Sequence, residues 1–210
     1  MQMNRCVIAG GADIADYERI RGQLREDDFF IFCDSGLKHM TGLGRKPGLI
    51  VGDFDSAENP KTDVETIVLP CEKDDTDTVY AVKEAVRRGY EEFLLIGVCG
   101  ARLDHTLGNV SILLYLDSIG KKGTILDDYS EMELVSEQTV RIEDDCLYFS
   151  LLNISGCAEG ITIRNAKYPL ENAVIRSDYQ YGISNEVLPG KTAEVSVMKG
   201  NLLLIKVDRE

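Results

Sequence analysis

The run Gly52-Asp53-Phe54-Asp55-Ser56, with Asp77 and Asp104 further on, holds the residue types and spacing most able to do chemistry. Asp53 and Asp55 follow the apolar run Leu49-Ile50-Val51, which reads as a short buried strand. Residues two apart in an extended segment point to the same side, so both carboxylates emerge together at the strand's end. Carboxylates so placed repel each other, and desolvating them is costly. A divalent cation relieves both penalties. A hard ion such as Mg²⁺ takes oxygen ligands and keeps substrate phosphates in the rest of its shell. The run therefore points to phosphate chemistry without a Walker loop. Taken alone, an acidic pair after a strand is more often a plain turn, so the case depends on its neighbours.

Those neighbours lie on alternating strand and helix signals. Cys6 to Ala9, Phe29 to Cys33, Leu49 to Val51, Val64 to Leu69, Phe93 to Val98 and Gly123 to Leu126 read as strands. Tyr17, Ile20 and Leu24 recur at helical spacing, Thr76 to Arg88 reads as a helix stopped by Gly89, and Leu103 to Ile119 as one ending at Gly120. Continuous apolar strands alternating with helices predict a mostly parallel, Rossmann-like sheet with helices on both faces.

Ligands bind outside the carboxyl ends of such strands. Gly10, Gly11 and Asp13 follow the first strand, Asp34-Ser35-Gly36 the second, and Gly52 to Ser56 the third. Glu72-Lys73-Asp74-Asp75-Thr76-Asp77 follows the fourth, and Gly97 to Asn109 the fifth. Independent acidic turns would not line up on one rim, and this convergence carries the argument. The glycines let backbone approach a phosphate. Arg102 stands where a helix begins, and both a guanidinium and a helix N-terminus favour phosphate there. His105 and Asn109, four apart, share a helix face. Thr76 is a natural N-cap, which explains part of the acidic cluster beside it, and Lys73 can neutralise that cluster or meet a phosphate. Neither GxGxxG nor GxxxxGK[ST] is present, and Pro47 spoils the phosphate-loop likeness of Gly42 to Gly48.

The pattern changes near Asp127-Asp128. From Met132 onward short extended stretches follow one another with no helical periodicity, which predicts a C-terminal antiparallel β-sandwich. The last two, Ala193 to Met198 and Asn201 to Val207, flank Lys199-Gly200 and read as a hairpin. The expected domains are 1–130, an α/β domain carrying the phosphate-site candidates, and 131–210, a sandwich.

Composition bounds the function. The chain has 210 residues, 44% hydrophobic and 28% charged, with a formal net charge of -13. Without a basic cluster, nucleic-acid binding is not expected. The six cysteines form no CxxC pair, and no apolar stretch approaches a membrane span. The expected setting is the cytoplasm, with no membrane partner.

The succession Gly10-Gly11, Asp34-Ser35-Gly36, Gly52-Asp53-Phe54-Asp55-Ser56, Lys73-Asp74-Asp75-Thr76-Asp77 and Gly100-Ala101-Arg102-Leu103-Asp104-His105 with Asn109 resembles the thiamine pyrophosphokinase family. The segment Tyr181-Gly182-Ile183-Ser184-Asn185-Glu186 is similar to that family's Ser-Asn thiamine-site motif. The resemblance implies an α/β nucleotide domain followed by a β-sandwich. It implies transfer of pyrophosphate from ATP to the thiamine hydroxyl, giving thiamine diphosphate and AMP, by a homodimer with thiamine at the subunit interface. By resemblance Asp53, Asp55, Asp77 and Asp104 hold Mg²⁺ and the pyrophosphate. Gly10, Gly11, Asp34, Gly36, Lys73, Arg102, His105 and Asn109 form the ATP side, and Ser184, Asn185 and Tyr168 contact thiamine. Asp34-Ser35-Gly36 departs from a more usual Asp-Gly-Gly, and Pro47-Gly48 from a usual Pro-Asp. Two other readings stay open at this point: a pyrophosphokinase for another alcohol, such as a hydroxymethylpterin, and a non-catalytic nucleotide or thiamine sensor.

Overall fold

Apolar runs become strands shut off from water. Arg5–Ala9 forms β1, in which Cys6 to Ala9 are fully buried. The computed structural model describes residues 4–54, 63–72, 74–136 and 138–209. The chain divides into two units, Met1–Asp128 and Tyr129–Glu210.

In the first unit, β1 leads to helix α1 (Tyr17–Gly22), whose N-cap Asp16 accepts a hydrogen bond from the Arg19 amide at 3.0 Å. Strand β2 (Phe29–Cys33) runs into a 3₁₀ turn, Asp34–His39, continued by α2 (Met40–Leu43). Sequence periodicity gave no helix there. Leu37, Met40 and Leu43 nevertheless pack with Ile20 of α1 against Val7, Ala9, Phe30 and Phe32, and this burial overrides the weak local propensity of a segment holding Gly36 and Gly42. Then come β3 (Leu49–Gly52), β4 (Thr66–Val68), α3 (Asp77–Arg87), β5 (Glu92–Ile96), α4 (Leu103–Ser118) and β6 (Lys122–Leu126). Thr76 caps α3 by accepting from the Val79 amide at 3.3 Å. Gly89, at φ 88°, follows the helix end as a left-handed stop.

Among the described residues the strands of this unit pair in parallel in the order β6-β5-β1-β2-β3-β4. The chain steps from β1 outward to β4, and α3 then returns it to β5 on the other side of β1. The winding reverses at β1. This is the point where open parallel sheets form a crevice beyond their carboxyl ends.

The second unit is antiparallel. Its strands are β7 (Ser130–Val135), β8 (Val140–Ile142), β9 (Tyr148–Leu152), β10 (Cys157–Arg164), β11 (Leu170–Arg176), β12 (Gly182–Asn185), β13 (Ala193–Ser196) and β14 (Leu202–Val207). They follow the orders β12-β9-β14-β7 and β11-β10-β13-β8. Val135, Phe149, Leu151, Leu202 and Leu204 from the first order share one core with Ile142, Ile161, Ile163, Ile175 and Val195 from the second. Each such large side chain contributes on the order of 2 kcal/mol by leaving water.

The hairpin expected across Lys199-Gly200 does not form. β13 pairs with β10 and β8, whereas β14 pairs with β7 and β9. The turn, with Gly200 at φ 81°, carries the chain from one sheet to the other. Strand β12 carries no clear alternation in sequence, because it is short and bulged. Gly182 faces Leu151 and Asn185 faces Phe149, so Ile183 and Ser184 together oppose Ser150. Ser184 takes up the extra residue at φ 56°, and its amide donates to Ser150 Oγ at 3.0 Å.

Candidate active site

The turns after β1 and β5 meet where the winding reverses. The Gly10 amide donates to Ile96 O at 2.9 Å and the Ala12 amide to Gly97 O at 2.8 Å. The approach is too close for side chains: a Cβ on Gly10 would stand 2.6 Å from Gly97 O, and Gly97 itself lies at φ 60°. Both turns line a cleft of about 390 Å³. Gly10, Gly11, Asp77, Arg102, His105 and Asn109, six of the residues singled out from sequence, line it together.

The fifth-strand loop is held by helix α4. Buried Asn109 donates through Nδ2 to Val98 O at 2.8 Å, and Thr106 Oγ1 accepts from the Gly100 amide at 3.1 Å. Arg102, the N-cap residue of α4, donates from Nε and Nη2 to the two oxygens of Asp104 at 3.0 and 2.6 Å. This hydrogen-bonded guanidinium holds the Asp104 carboxyl well below the usual carboxylate range, with the His105 amide adding to it. The pair is exposed at the cleft, where the guanidinium can exchange a carboxylate for a phosphate of similar geometry.

Beside the cleft lies a second group. Asp34 at the end of β2, Asp53 at the end of β3 and Asp77 at the start of α3 each offer an oxygen, all within 4.8 Å of one another. Asp34 is buried. Even at the outer limit of 4.8 Å, two like charges repel by about 3 kcal/mol at an effective dielectric constant near 20. An all-oxygen, all-anionic donor set of this kind fits a hard divalent cation. Backbone makes the approach possible. A Cβ on Gly52 would lie 2.7 Å from the Cβ of Asp34, so only glycine lets the end of β3 sit beside that residue. Phe54 then turns the chain at φ 54°, a conformation uncommon for a bulky side chain and of the kind found beside functional groups. Asp104 stands apart from this group, bound to Arg102. Asp55 and Lys73 lie outside the described residues. Asp75 is engaged by Lys83 at 2.7 Å, and Gly36 packs its Cα against the Ala9 carbonyl.

In the second unit Tyr168, Ser184 and Asn185 come together. Asn185 is buried and uses its carboxamide on backbone: Oδ1 accepts from the Tyr168 and Glu186 amides at 3.0 and 2.9 Å, and Nδ2 donates to Tyr168 O at 2.9 Å. The Tyr168 ring is exposed, with Lys167 Nζ 5.6 Å from its centroid. Lys167 also pairs with Glu186 at 2.6 Å.

Two cleft-region residues escape the sequence patterns. Lys38 lines the cleft and pairs with Asp13 at 2.6 Å. His39 is buried directly behind the first loop. Both lie in the helical segment after β2, so recognising that segment as helical would have brought them forward.

A glycine-lined cleft at the switch point, an arginine at a helix start and a carboxylate group beside it together suit a phosphate-bearing ligand in an α/β protein. Comparison with known proteins makes the class specific. A family model described as the thiamin pyrophosphokinase catalytic domain matches residues 21–124, and one described as the thiamin pyrophosphokinase vitamin B1 binding domain matches residues 137–202. The thiamine pyrophosphokinase of Bacillus subtilis (strain 168) is 28% identical over 210 residues, spanning 95% of this chain and 96% of that protein. A crystal structure of thiamine pyrophosphokinase from Bacillus subtilis superposes with a TM-score of 0.88 at 23% identity, covering 99% of this chain and 100% of that one. That of Geobacillus thermodenitrificans gives 0.84 at 27% identity, covering 98% of each. The chain belongs to the thiamin pyrophosphokinase family.

Proposed function

We propose that this protein transfers a pyrophosphoryl group from ATP to the hydroxyl of thiamine, forming thiamine diphosphate and AMP. The observation that carries the reading is the convergence of the glycine cleft with the Asp34–Asp53–Asp77 group at the switch point of a chain matched by both thiamin pyrophosphokinase models. In this reading the first unit is a Rossmann-like nucleotide domain and the second a thiamine-binding β-sandwich.

The ATP phosphates lie along the backbone of Gly10, Gly11 and Gly97, with Arg102 drawn from Asp104 to the phosphates. Arg102 and the amides at the start of α4 supply positive potential where charge accumulates on the leaving phosphate. Asp34, Asp53 and Asp77 would hold Mg²⁺, with Asp55 following in the same run; the ion would supply positive charge to offset that of the phosphates. The thiamine hydroxyl oxygen bonds to the β-phosphorus as the bond from that phosphorus to the α–β bridging oxygen breaks, so AMP leaves and the hydroxyl proton is lost. Positioning and charge neutralisation supply most of the rate in such transfers. Tyr168 gives thiamine, itself a cation, an aromatic face, and Ser184 and Asn185 frame it.

The working form is read as a homodimer with thiamine at the subunit interface. The expected location is the cytoplasm; among the described residues no helix is long and apolar enough to cross a membrane. Incubation with ATP, Mg²⁺ and thiamine tests the reading. AMP and thiamine diphosphate should appear in equal amounts, and EDTA should stop both. AMP released with a hydroxymethylpterin but not with thiamine would move the assignment to another pyrophosphokinase. Nucleotide binding without AMP release would make the protein a sensor.

A further inference from the structure

His39 is one of two histidines in the chain and is 1% exposed. It sits at the junction of the 3₁₀ turn and α2, behind the loop that follows β1. Its Nε2 is 2.8 Å from the Ala12 carbonyl oxygen, and its Nδ1 is 2.7 Å from the Tyr17 hydroxyl. A carbonyl oxygen only accepts, so Nε2 carries the proton and donates. Nδ1 of the neutral ring then accepts from the Tyr17 hydroxyl. Burial pushes the imidazole pKa below its ordinary value, in keeping with a neutral ring, while the Ala12 hydrogen bond works against that shift.

The imidazole also faces the opposite loop closely enough that a Cβ on Gly97 would stand 3.3 Å from Nε2. Ala12 is consequently fixed at both ends, its amide by Gly97 O and its carbonyl by His39. Tyr17 is fixed in turn: a Cβ on Gly42 of α2 would stand 2.4 Å from its ring. The relay Tyr17–His39–Ala12 thus joins α1, α2 and the glycine loop. A loop rich in glycine has more conformational freedom to lose than any other, and fixing it before the ligand arrives removes that cost from binding.

We propose that His39, oriented by Tyr17, is a positioning residue that pre-organises the Gly10–Asp13 backbone to receive the phosphate-bearing substrate. The proposal rests on the nucleotide reading of the cleft given above. It does not place His39 in contact with substrate.

The test uses full-length His39→Leu, His39→Gln and Tyr17→Phe. Two readouts are amide hydrogen exchange at residues 11–13 and affinity for α,β-methylene-ATP with Mg²⁺, an analogue that cannot release AMP. A third is the split between the KM values for ATP and thiamine. His39→Leu should speed exchange in this loop and weaken analogue binding by roughly tenfold, with the KM for thiamine unchanged. His39→Gln, which keeps a donor nitrogen for Ala12, should return affinity to within about threefold of wild type. Tyr17→Phe should fall between them. Wild-type exchange and affinity in His39→Leu, with only a lower Tm, would overturn the proposal. So would a His39→Gln variant as impaired as His39→Leu. If His39→Leu does not fold, His39→Gln and Tyr17→Phe decide by the same readouts, and unchanged loop exchange in Tyr17→Phe would count against the relay. If the wild-type protein binds no analogue, the nucleotide reading falls, and loop exchange alone then upholds or rejects the positioning role.

Discussion

The Asn185 carboxamide closes a two-way hydrogen-bonded clamp on the main chain of Tyr168, accepting from its amide at 3.0 Å and donating to its carbonyl at 2.9 Å. By resemblance alone Asn185 is a thiamine contact. In the structure its polar atoms are engaged by backbone, and under the proposed function its effect on thiamine is expected to run through the aromatic ring it positions. Asn185→Ala should raise the KM for thiamine by about tenfold, with the KM for ATP unmoved, because an unclamped ring loses order before it loses contact. Tyr168→Ala should do the same. The double variant should be little worse than either single one, since residues acting through one contact are not additive. Full additivity in that cycle would mean that Asn185 touches thiamine independently.

Asp34, Asp53 and Asp77 come from three separate elements, and their closeness makes a prediction about metal that does not rely on turnover. Asp77→Asn keeps the Thr76 cap and the shape of the first turn of α3, so the fold should survive. Its AMP release should fall by roughly a hundredfold or more, the scale for losing one group that stabilises transferring charge. Mg²⁺ should raise the Tm of the wild-type protein and raise that of Asp77→Asn markedly less. Equal stabilisation of both proteins by Mg²⁺ would place the ion elsewhere.

Gly52 tests whether the approach of β3 to Asp34 matters for chemistry or only for packing. An added methyl would meet the Asp34 Cβ at 2.7 Å and the Asp34 amide nitrogen at 3.3 Å. These are atoms on or next to the backbone, which cannot swing away as a flexible side chain can. Gly52→Ala should therefore part Asp53 from Asp34 and lower kcat by about tenfold to a hundredfold, the range for misplacing a reacting geometry by about an ångström. A variant with wild-type kcat and a lower Tm would show that the contact serves the fold alone.

Most strands were legible because buried parallel strands are simply apolar runs, as in Phe29 to Cys33 and Phe93 to Val98. The glycines and carboxylates of the cleft were legible for a related reason: they directly follow those runs, and a parallel sheet sends all its carboxyl ends to one rim. Four features were not legible. The helical turns over 34–43 depend on Leu37, Met40 and Leu43 finding the core, and local propensity around Gly36 and Gly42 opposes them. Strand β12 is broken by the bulge at Ser184, so its alternation fails within four residues. The turn at Lys199-Gly200 has the chemistry of a hairpin, but the shared core of two sheets sends its flanking strands apart. Tyr17 and His39 lie 22 positions apart, and no periodicity links them.

The pH dependence of stability should carry the signature of Glu84 on α3. This nearly buried carboxylate accepts from Arg87 Nε and Nη2 at 2.8 and 2.6 Å and from Arg88 Nε at 2.8 Å. Arg88 holds Glu65 as well, at 2.6 Å. The Arg87 hydrogen bonds, with those of Arg88 behind them, lower the Glu84 pKa from its ordinary 4.5 to about 2 against the opposing effect of burial. A folded-state pKa below the unfolded one means that the unfolded chain binds the proton more readily. The stabilisation is thus fully present above about pH 4.5 and is lost as the pH falls through about 2. Glu84→Gln should cost about 1–3 kcal/mol at neutral pH, since the arginines lose their charged acceptor. The difference in stability between wild type and variant, measured by urea unfolding, should then shrink across that acid window. A difference that stays constant from pH 6 to about pH 2.5 would mean that Glu84 contributes by shape rather than by charge.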